Sequence, residues 1–241
     1  LIPDSILPSA PEVAQCASRY FAFYRPRDIV GGDFHYFRLV EGRCVIGVID
    51  CTGYGVPGAF MTMTAKTILD HVLDSLGSND PAAVLAALNQ RLRLALHRNG
   101  SDASIDNGLE IGLCSCDPAG GQLIFAGARI GLNQVAGGAI TTYAGDRQAI
   151  GYRKSNADFT YSNHFVTVHE NAMFYLASDG ILDQAGGSKG LGFGRERFNS
   201  LLLSLHQKTA EEQQAALEQA LCQYQGDHPQ RDDITVVGFA F

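Results

Sequence analysis

Val48-Ile-Asp50-Cys-Thr-Gly53-Tyr-Gly55-Val-Pro57-Gly58-Ala59 carries an apolar, strand-like run into an aspartate, a glycine-rich turn and the start of a helix. Pro57 suits a first helical turn, where its missing N–H costs nothing. Ala59, Met63, Ala65, Leu69, Val72 and Leu76 then keep helical spacing as far as Gly77-Ser-Asn79. Asp80-Pro81 opens a second helix through Val84, Leu85, Leu88, Leu92 and Leu96 to Gly100. Two long helices joined by a short turn make an antiparallel hairpin, whose apolar face needs a sheet to cover it.

Strands surround this helix pair. Residues 18–24, 34–40 and 43–50 read as strands upstream, and 108–116, 121–127, 130–136 and 139–143 downstream. Asp117-Pro-Ala-Gly120 supplies one turn, and 101–107 is polar and expected to be mobile. Residues 164–168 and 172–177 are expected to pair with each other around Glu170-Asn171, and the glycine-rich stretch 184–194 to be the most flexible. Helices follow near 195–206 and 210–224, the second opened by a Thr209/Glu212 capping box, and the last strand is 234–240. Hairpins with helices in sequential pairs predict an α+β fold of antiparallel sheets covered by helices.

With 241 residues, 46% of them hydrophobic, the chain can bury one large core. Its net charge of −7, without a basic run, argues against a nucleic-acid partner. Six cysteines without a CxxC pair predict a reduced, cytoplasmic setting; Cys114 and Cys116 would share a strand face, which leaves zinc open as an alternative. No apolar run approaches the roughly 20 residues a bilayer requires, so no membrane contact is expected of this domain. Leu1 in place of Met suggests a longer parent protein, which would carry any membrane anchor. Residues 1–17 read as a linker or helix remnant and 18–241 as the domain.

Asp50 has three counterparts: Asp33 in Val30-Gly-Gly-Asp-Phe34, Asp179 in Leu176-Ala-Ser-Asp-Gly180 and Asp232 in Arg231-Asp-Asp-Ile-Thr235. Each could simply accept bonds from turn backbone. That reading leaves unexplained why each adjoins an apolar run, where an unpaired carboxylate is expensive. Two carboxylates ~5 Å apart repel by roughly 3 kcal/mol at an effective dielectric of 20. Two divalent cations offset four such charges, and no Lys/Arg cluster stands near these motifs.

Taken together, Gly-Gly-Asp33, Asp50-x-x-Gly-x-Gly-x-Pro-Gly-Ala59, Ser-Asp179-Gly180 and Asp232-Asp-Ile-Thr235 resemble the PPM-type metal-dependent protein serine/threonine phosphatases, in their SpoIIE-like branch. The wording of Val-Ile-Asp-Cys-Thr-Gly and Ala-Ser-Asp-Gly-Ile-Leu-Asp-Gln is closest to SiaA-like regulators. The resemblance implies an αββα sandwich with two Mn²⁺ or Mg²⁺ ions. Asp50 would bridge them, Asp33 and the Cys51 carbonyl would serve one ion, and Asp179 and Asp232 the other, which makes Asp50, Asp33 and Asp179 the catalytic set. It also implies a small phosphoprotein substrate, an anti-sigma-factor antagonist; separately, the helix pair 57–98 or N-terminal helices leave a homodimer open. The alternative is a weak or inactive phosphatase-fold module that binds a regulatory partner.

Tyr54 departs from the family pattern, which often has His there, and a phenol of pKa ≈ 10 is a poorer proton donor at pH 7. Arg27 is placed to approach substrate phosphate or to pair with Asp28, and Thr235 to hold its loop through its hydroxyl. Asp233 is the lesser alternative to Asp232, because neighbouring strand positions face opposite ways. His35 is expected to be packed, Asp183 to bond locally, and Arg195 and Arg197 to be solvated or to meet a partner. His97, His164 and His169 show no ligand spacing.

Overall fold

Alternation along the strands sets the layers in this computed structural model, which describes residues 13, 15–97, 106–118 and 121–241. In β3 (Arg43–Cys51), Val45 and Ile49 face one way and Ile46, Val48 and Asp50 the other. β3 lies between β2 (Asp33–Val40) and β4 (Leu109–Asp117), and β5 (Gln122–Ala128) and β8 (His164–Thr167) complete this antiparallel sheet. The second sheet runs in the order β1 (Arg19–Arg25), β12 (Ile234–Ala240), β9 (Met173–Ala177), β6 (Leu132–Ala136), β7 (Ala139–Tyr143), also antiparallel.

Three apolar layers result. Helices α1 (Gly55–Leu76) and α2 (Pro81–His97) bury Leu69, Val72, Leu85 and Leu88 against Phe34, Val45 and Ile111. Between the sheets, Ile46, Val48 and Phe125 meet Phe174, Leu176 and Val237. On the far side, α3 (Gly194–Leu205) and α4 (Ala210–Gln225) set Phe198, Leu202 and Leu217 on Tyr175 and Val236. Each such side chain contributes about 1.5–3 kcal/mol on burial. This is the expected αββα sandwich. The Thr209/Glu212 capping box forms, and Asp80 Oδ1 accepts from the Ala83 N–H at 3.0 Å to open α2.

Three expectations are corrected. β8 and β9 do not pair: β8 joins β5 and β9 joins β6 and β12, because Val166 and Phe174 both enter the inter-sheet layer and the chain crosses from one sheet to the other. Asn171, at a φ of 59°, makes that crossing turn. The 184–194 stretch is a small hairpin, β10 (Ala185–Gly186) on β11 (Leu191–Gly192). Tyr224 fixes it, its hydroxyl donating to the Leu191 and Gly192 carbonyls at 3.0 Å each. The cysteines are not all reduced: Cys16 and Cys44 form a disulfide, their Cα atoms 5.8 Å apart where the start of β3 passes the residues before β1. Cys114 and Cys116 share the inter-sheet face, buried and free.

Among the described residues no helix is long and apolar enough to cross a membrane. Residues 98–105 and 119–120, parts of the expected mobile stretch and turn, lie outside the described residues, as does most of the expected linker at 1–17.

Candidate metal centre

Asp33 and Asp50 are direct register partners at the ends of β2 and β3, so their side chains emerge on the same face, into one end of the inter-sheet layer. β9 and β12 reach that end from the other sheet. Ser178, just past β9, donates to Asp33 Oδ2 at 2.6 Å, and Thr235 donates to the same oxygen at 2.8 Å. Ser178 Oγ in turn accepts the Thr235 N–H at 3.0 Å. Asp33 is only 2% exposed. Burial pushes its carboxyl pKa up, and the two hydroxyls oppose that by favouring the charged form.

Asp50 is pushed up further, by burial first and then by the charges of Asp33, Asp179, Asp232 and Glu110. Every charge pressing on it is a carboxylate. Asp179 is raised by burial and by Asp232, and Asp232 by burial, with Arg27 a minor counterweight. Among the described residues none of the four aspartates has a Lys or Arg partner within ion-pair distance. The four expected ligands therefore share one electrostatic neighbourhood.

They do not form a closed cage. Among the described residues no group of three or more His, Cys, Asp or Glu side chains is placed to hold one ion. The donor set still fits hard divalent cations, which take carboxylate and carbonyl oxygens and keep several waters as ligands. Gly53 and Gly55, at φ of 104° and 62°, turn the chain sharply between Cys51 and α1.

Asp233 has a separate task. It is 3% exposed and accepts the Arg27 and Gly32 N–H groups at 2.7 Å each, pinning the loop that leads into Asp33. Asp232 Oδ1 accepts the Asp233 N–H at 2.7 Å. Gly180 packs so closely on this turn that a Cβ there would lie 1.9 Å from the Asp233 carbonyl oxygen.

Tyr54 and Arg27 come together at the rim. The Arg27 guanidinium stacks 3.7 Å from the Tyr54 ring centroid, and the Tyr54 hydroxyl donates to Asp232 Oδ2 at 3.3 Å. Arg27 also makes the expected pair with Asp28, at 3.6 Å. Burial and then Asp232 raise the phenol pKa, so Tyr54 stays protonated.

The remaining candidates lie elsewhere. His35 is packed in the inter-sheet layer, where burial pushes its pKa down to about 4. His97 and His164 bond the carbonyls of Gly151 and Ala144. The Asp183 N–H bonds the Asp179 carbonyl at 3.0 Å. Arg197 donates to the Phe193 carbonyl at 2.9 Å and covers Tyr224. The motifs give no role to Ser178, nor to Glu110, the register partner of Asp50. A hydroxyl immediately before a strand-end aspartate was the available signal for Ser178.

The family model described as Stage II sporulation protein E (SpoIIE) matches residues 40–241. Among solved structures, the SiaA-PP2C domain of Pseudomonas aeruginosa is 39% identical with a TM-score of 0.87, over 100% of this chain and 92% of that one. The PP2C phosphatase domain, with a fragment of the regulatory domain, of the cell fate determinant SpoIIE from Bacillus subtilis is 17% identical with a TM-score of 0.71, over 92% of this chain and 63% of that one. RsbX in complex with magnesium is 13% identical with a TM-score of 0.63, over 91% and 94%. The last two show likeness of fold. No curated protein matches the chain.

Proposed function

Because the chain belongs to the SpoIIE family of PP2C-type serine/threonine phosphatases, we propose that its carboxylate cluster is a binuclear Mn²⁺ or Mg²⁺ centre serving dephosphorylation of a regulatory phosphoprotein. The observation that carries this reading is Asp50, pressed by four carboxylates with no cation paired to it among the described residues. Divalent ions relieve that repulsion. RsbX, of the same fold, has been solved with magnesium.

In this reading Asp50, Asp33, the Cys51 carbonyl, Asp179 and Asp232 would hold the ions. Such a pair, when bound, supplies a hydroxide near neutral pH and offsets charge on phosphoryl oxygens. The chain's own residues prepare the site. Ser178 and Thr235 fix the rotamer of Asp33 and favour its carboxylate against the effect of burial. The Asp233 N–H and the Tyr54 hydroxyl orient Asp232. Arg27, stacked on Tyr54, sets a guanidinium at the rim that could exchange its contacts with Asp28 and the Arg231 carbonyl for a phosphoryl group. The protonated Tyr54 hydroxyl, 3.3 Å from Asp232 Oδ2, would be the proton donor to a leaving oxygen.

The phosphatase domain in this reading spans residues 18–241. Its substrate is a small phosphoprotein of the anti-sigma-factor-antagonist kind, and it works as a homodimer in the cytoplasm. Mn²⁺-dependent hydrolysis of an aryl phosphate, and of a phosphothreonine peptide in preference to a nucleotide, tests the reading. Asp33→Ala and Asp179→Ala are expected to abolish both activities. Turnover that survives either substitution, or that ignores chelation, sinks the proposed centre.

A further inference from the structure

Two recesses adjoin the carboxylate cluster and meet at Glu110 and Arg129. The smaller, about 130 Å³, is bordered by Asp179, Arg195 and Asn199. The larger, about 630 Å³, is bordered by Arg147, Lys154 and Tyr152. Their shared wall is beside the proposed centre, because Glu110 is the register partner of Asp50.

Arg129 holds a left-handed φ of 68°, unusual for a residue with a side chain. Its N–H donates to the Asp146 carbonyl at 2.8 Å, and its guanidinium lies 3.5 Å from Glu110. That conformation sets a cation at the junction of the two recesses. Strain kept beside a reaction centre is a pointer to function.

The charge pattern is local. The chain carries −7 overall, yet four of its 18 Lys and Arg residues line these two recesses. Arg129 is neutralised by Glu110. Arg147, Lys154 and Arg195 are exposed, and among the described residues none has a carboxylate within 4 Å. The carboxylates on these walls are otherwise engaged: Asp106 accepts the Arg153 N–H at 2.8 Å, and Asp179 belongs to the proposed centre. In the smaller recess, Asn199 Oδ1 is buried and lacks a hydrogen-bond donor.

We infer that these recesses dock an acidic segment of the phosphoprotein substrate, and that Arg147, Lys154 and Arg195 select phosphoserine or phosphothreonine flanked by Asp or Glu. The inference rests on the phosphatase reading above and adds the chemistry of the partner. Complementary exposed charges speed encounter and reject like-charged competitors more than they add raw affinity. A preference of roughly tenfold is what two or three such pairs supply.

The test is fluorescence anisotropy on the Mn²⁺-supplied domain, with a labelled unphosphorylated peptide rich in Asp and Glu and its Asn/Gln counterpart. The acidic peptide should bind about tenfold more tightly at low salt. R147E/K154E and R195E should each reduce that ratio severalfold, and R195K should keep it. The ratio within one variant cancels any general loss of folded protein. Equal binding of the two peptides by the unmodified domain overturns the inference, as does an acidic preference that survives both charge reversals. A single-stranded oligonucleotide of equal charge binding more tightly than the acidic peptide overturns the protein partner. Absence of Mn²⁺-dependent aryl phosphate hydrolysis alongside intact charge-selective binding would instead fault the metal-centre reading and leave the docking surface standing.

Discussion

Thr235→Val isolates the support beneath Asp33. The change nearly conserves shape at a site with 0% exposure and removes one hydroxyl bond, 2.8 Å long, to Asp33 Oδ2. Hydrogen bonds to charged groups are worth about 1.5–3 kcal/mol. Part of that loss falls on stability and part on the ionisation of Asp33, because the hydroxyl favours the carboxylate over the acid. Metal must then displace a proton held more tightly. Loss of such an orienting partner weakens metal affinity by roughly 10- to 100-fold. Mn²⁺ titration of aryl phosphate turnover should show this as a rightward shift of half-saturation, larger at pH 6 than at pH 8, with kcat at saturating metal within a few-fold of the parent. Thr235→Ser should restore most of the affinity. Ser178→Ala should cost more stability, since it also strips the acceptor from the Thr235 N–H. An unaltered half-saturation in Thr235→Val at both pH values would refute the role given to the hydroxyl.

Three further outcomes follow from the same geometry. Burial raises the Asp33 pKa to about 7 in the metal-free fold, against about 3.9 in an unfolded chain. The native state then binds more protons, so metal-free stability is full below about pH 4 and falls by on the order of a few kcal/mol as pH rises through 7; melting curves with chelator should decline from pH 5 to 8, and a flat profile would contradict the uncompensated cluster. Gly180→Ala forces a Cβ to within 1.9 Å of the Asp233 carbonyl oxygen, an overpacking expected to cost about 1–3 kcal/mol and seen as a Tm drop of roughly 2–4 °C per kcal/mol. Tyr54→His should raise kcat near neutral pH by placing a better-matched donor next to Asp232, and an unchanged rate removes Tyr54 from proton transfer.

Much of this architecture was legible before any coordinates. The helix pair after Asp50, the capping box at Thr209 and the order of most strands follow from local periodicity and turn chemistry, which act over a few residues. Connections across sheets do not. Nothing local in 164–177 distinguishes a hairpin from a crossing between layers, and the outcome depends on Val166 and Phe174 packing in one interior. The aspartates were readable as a set because each ends an apolar run. The hydroxyls that hold Asp33 were not, since Ser178 and Thr235 are 145 and 202 positions away from it. The Cys16–Cys44 bond is hidden for the same reason: only the packing of one sheet on the other brings the start of β3 to the chain before β1.

The place of β12 between β1 and β9 has a consequence for biosynthesis. β1 pairs with β12 from Arg19↔Ala240 to Arg25↔Ile234, so the earliest strand of the domain is without its neighbour until the latest one emerges. At ~5–20 residues per second, that interval is roughly ten to forty seconds on the ribosome. Thr235 and Asp232 arrive with that final strand. A nascent chain with every described helix already translated therefore still lacks Asp232 and Thr235, and the proposed centre stays incomplete until β12 has emerged.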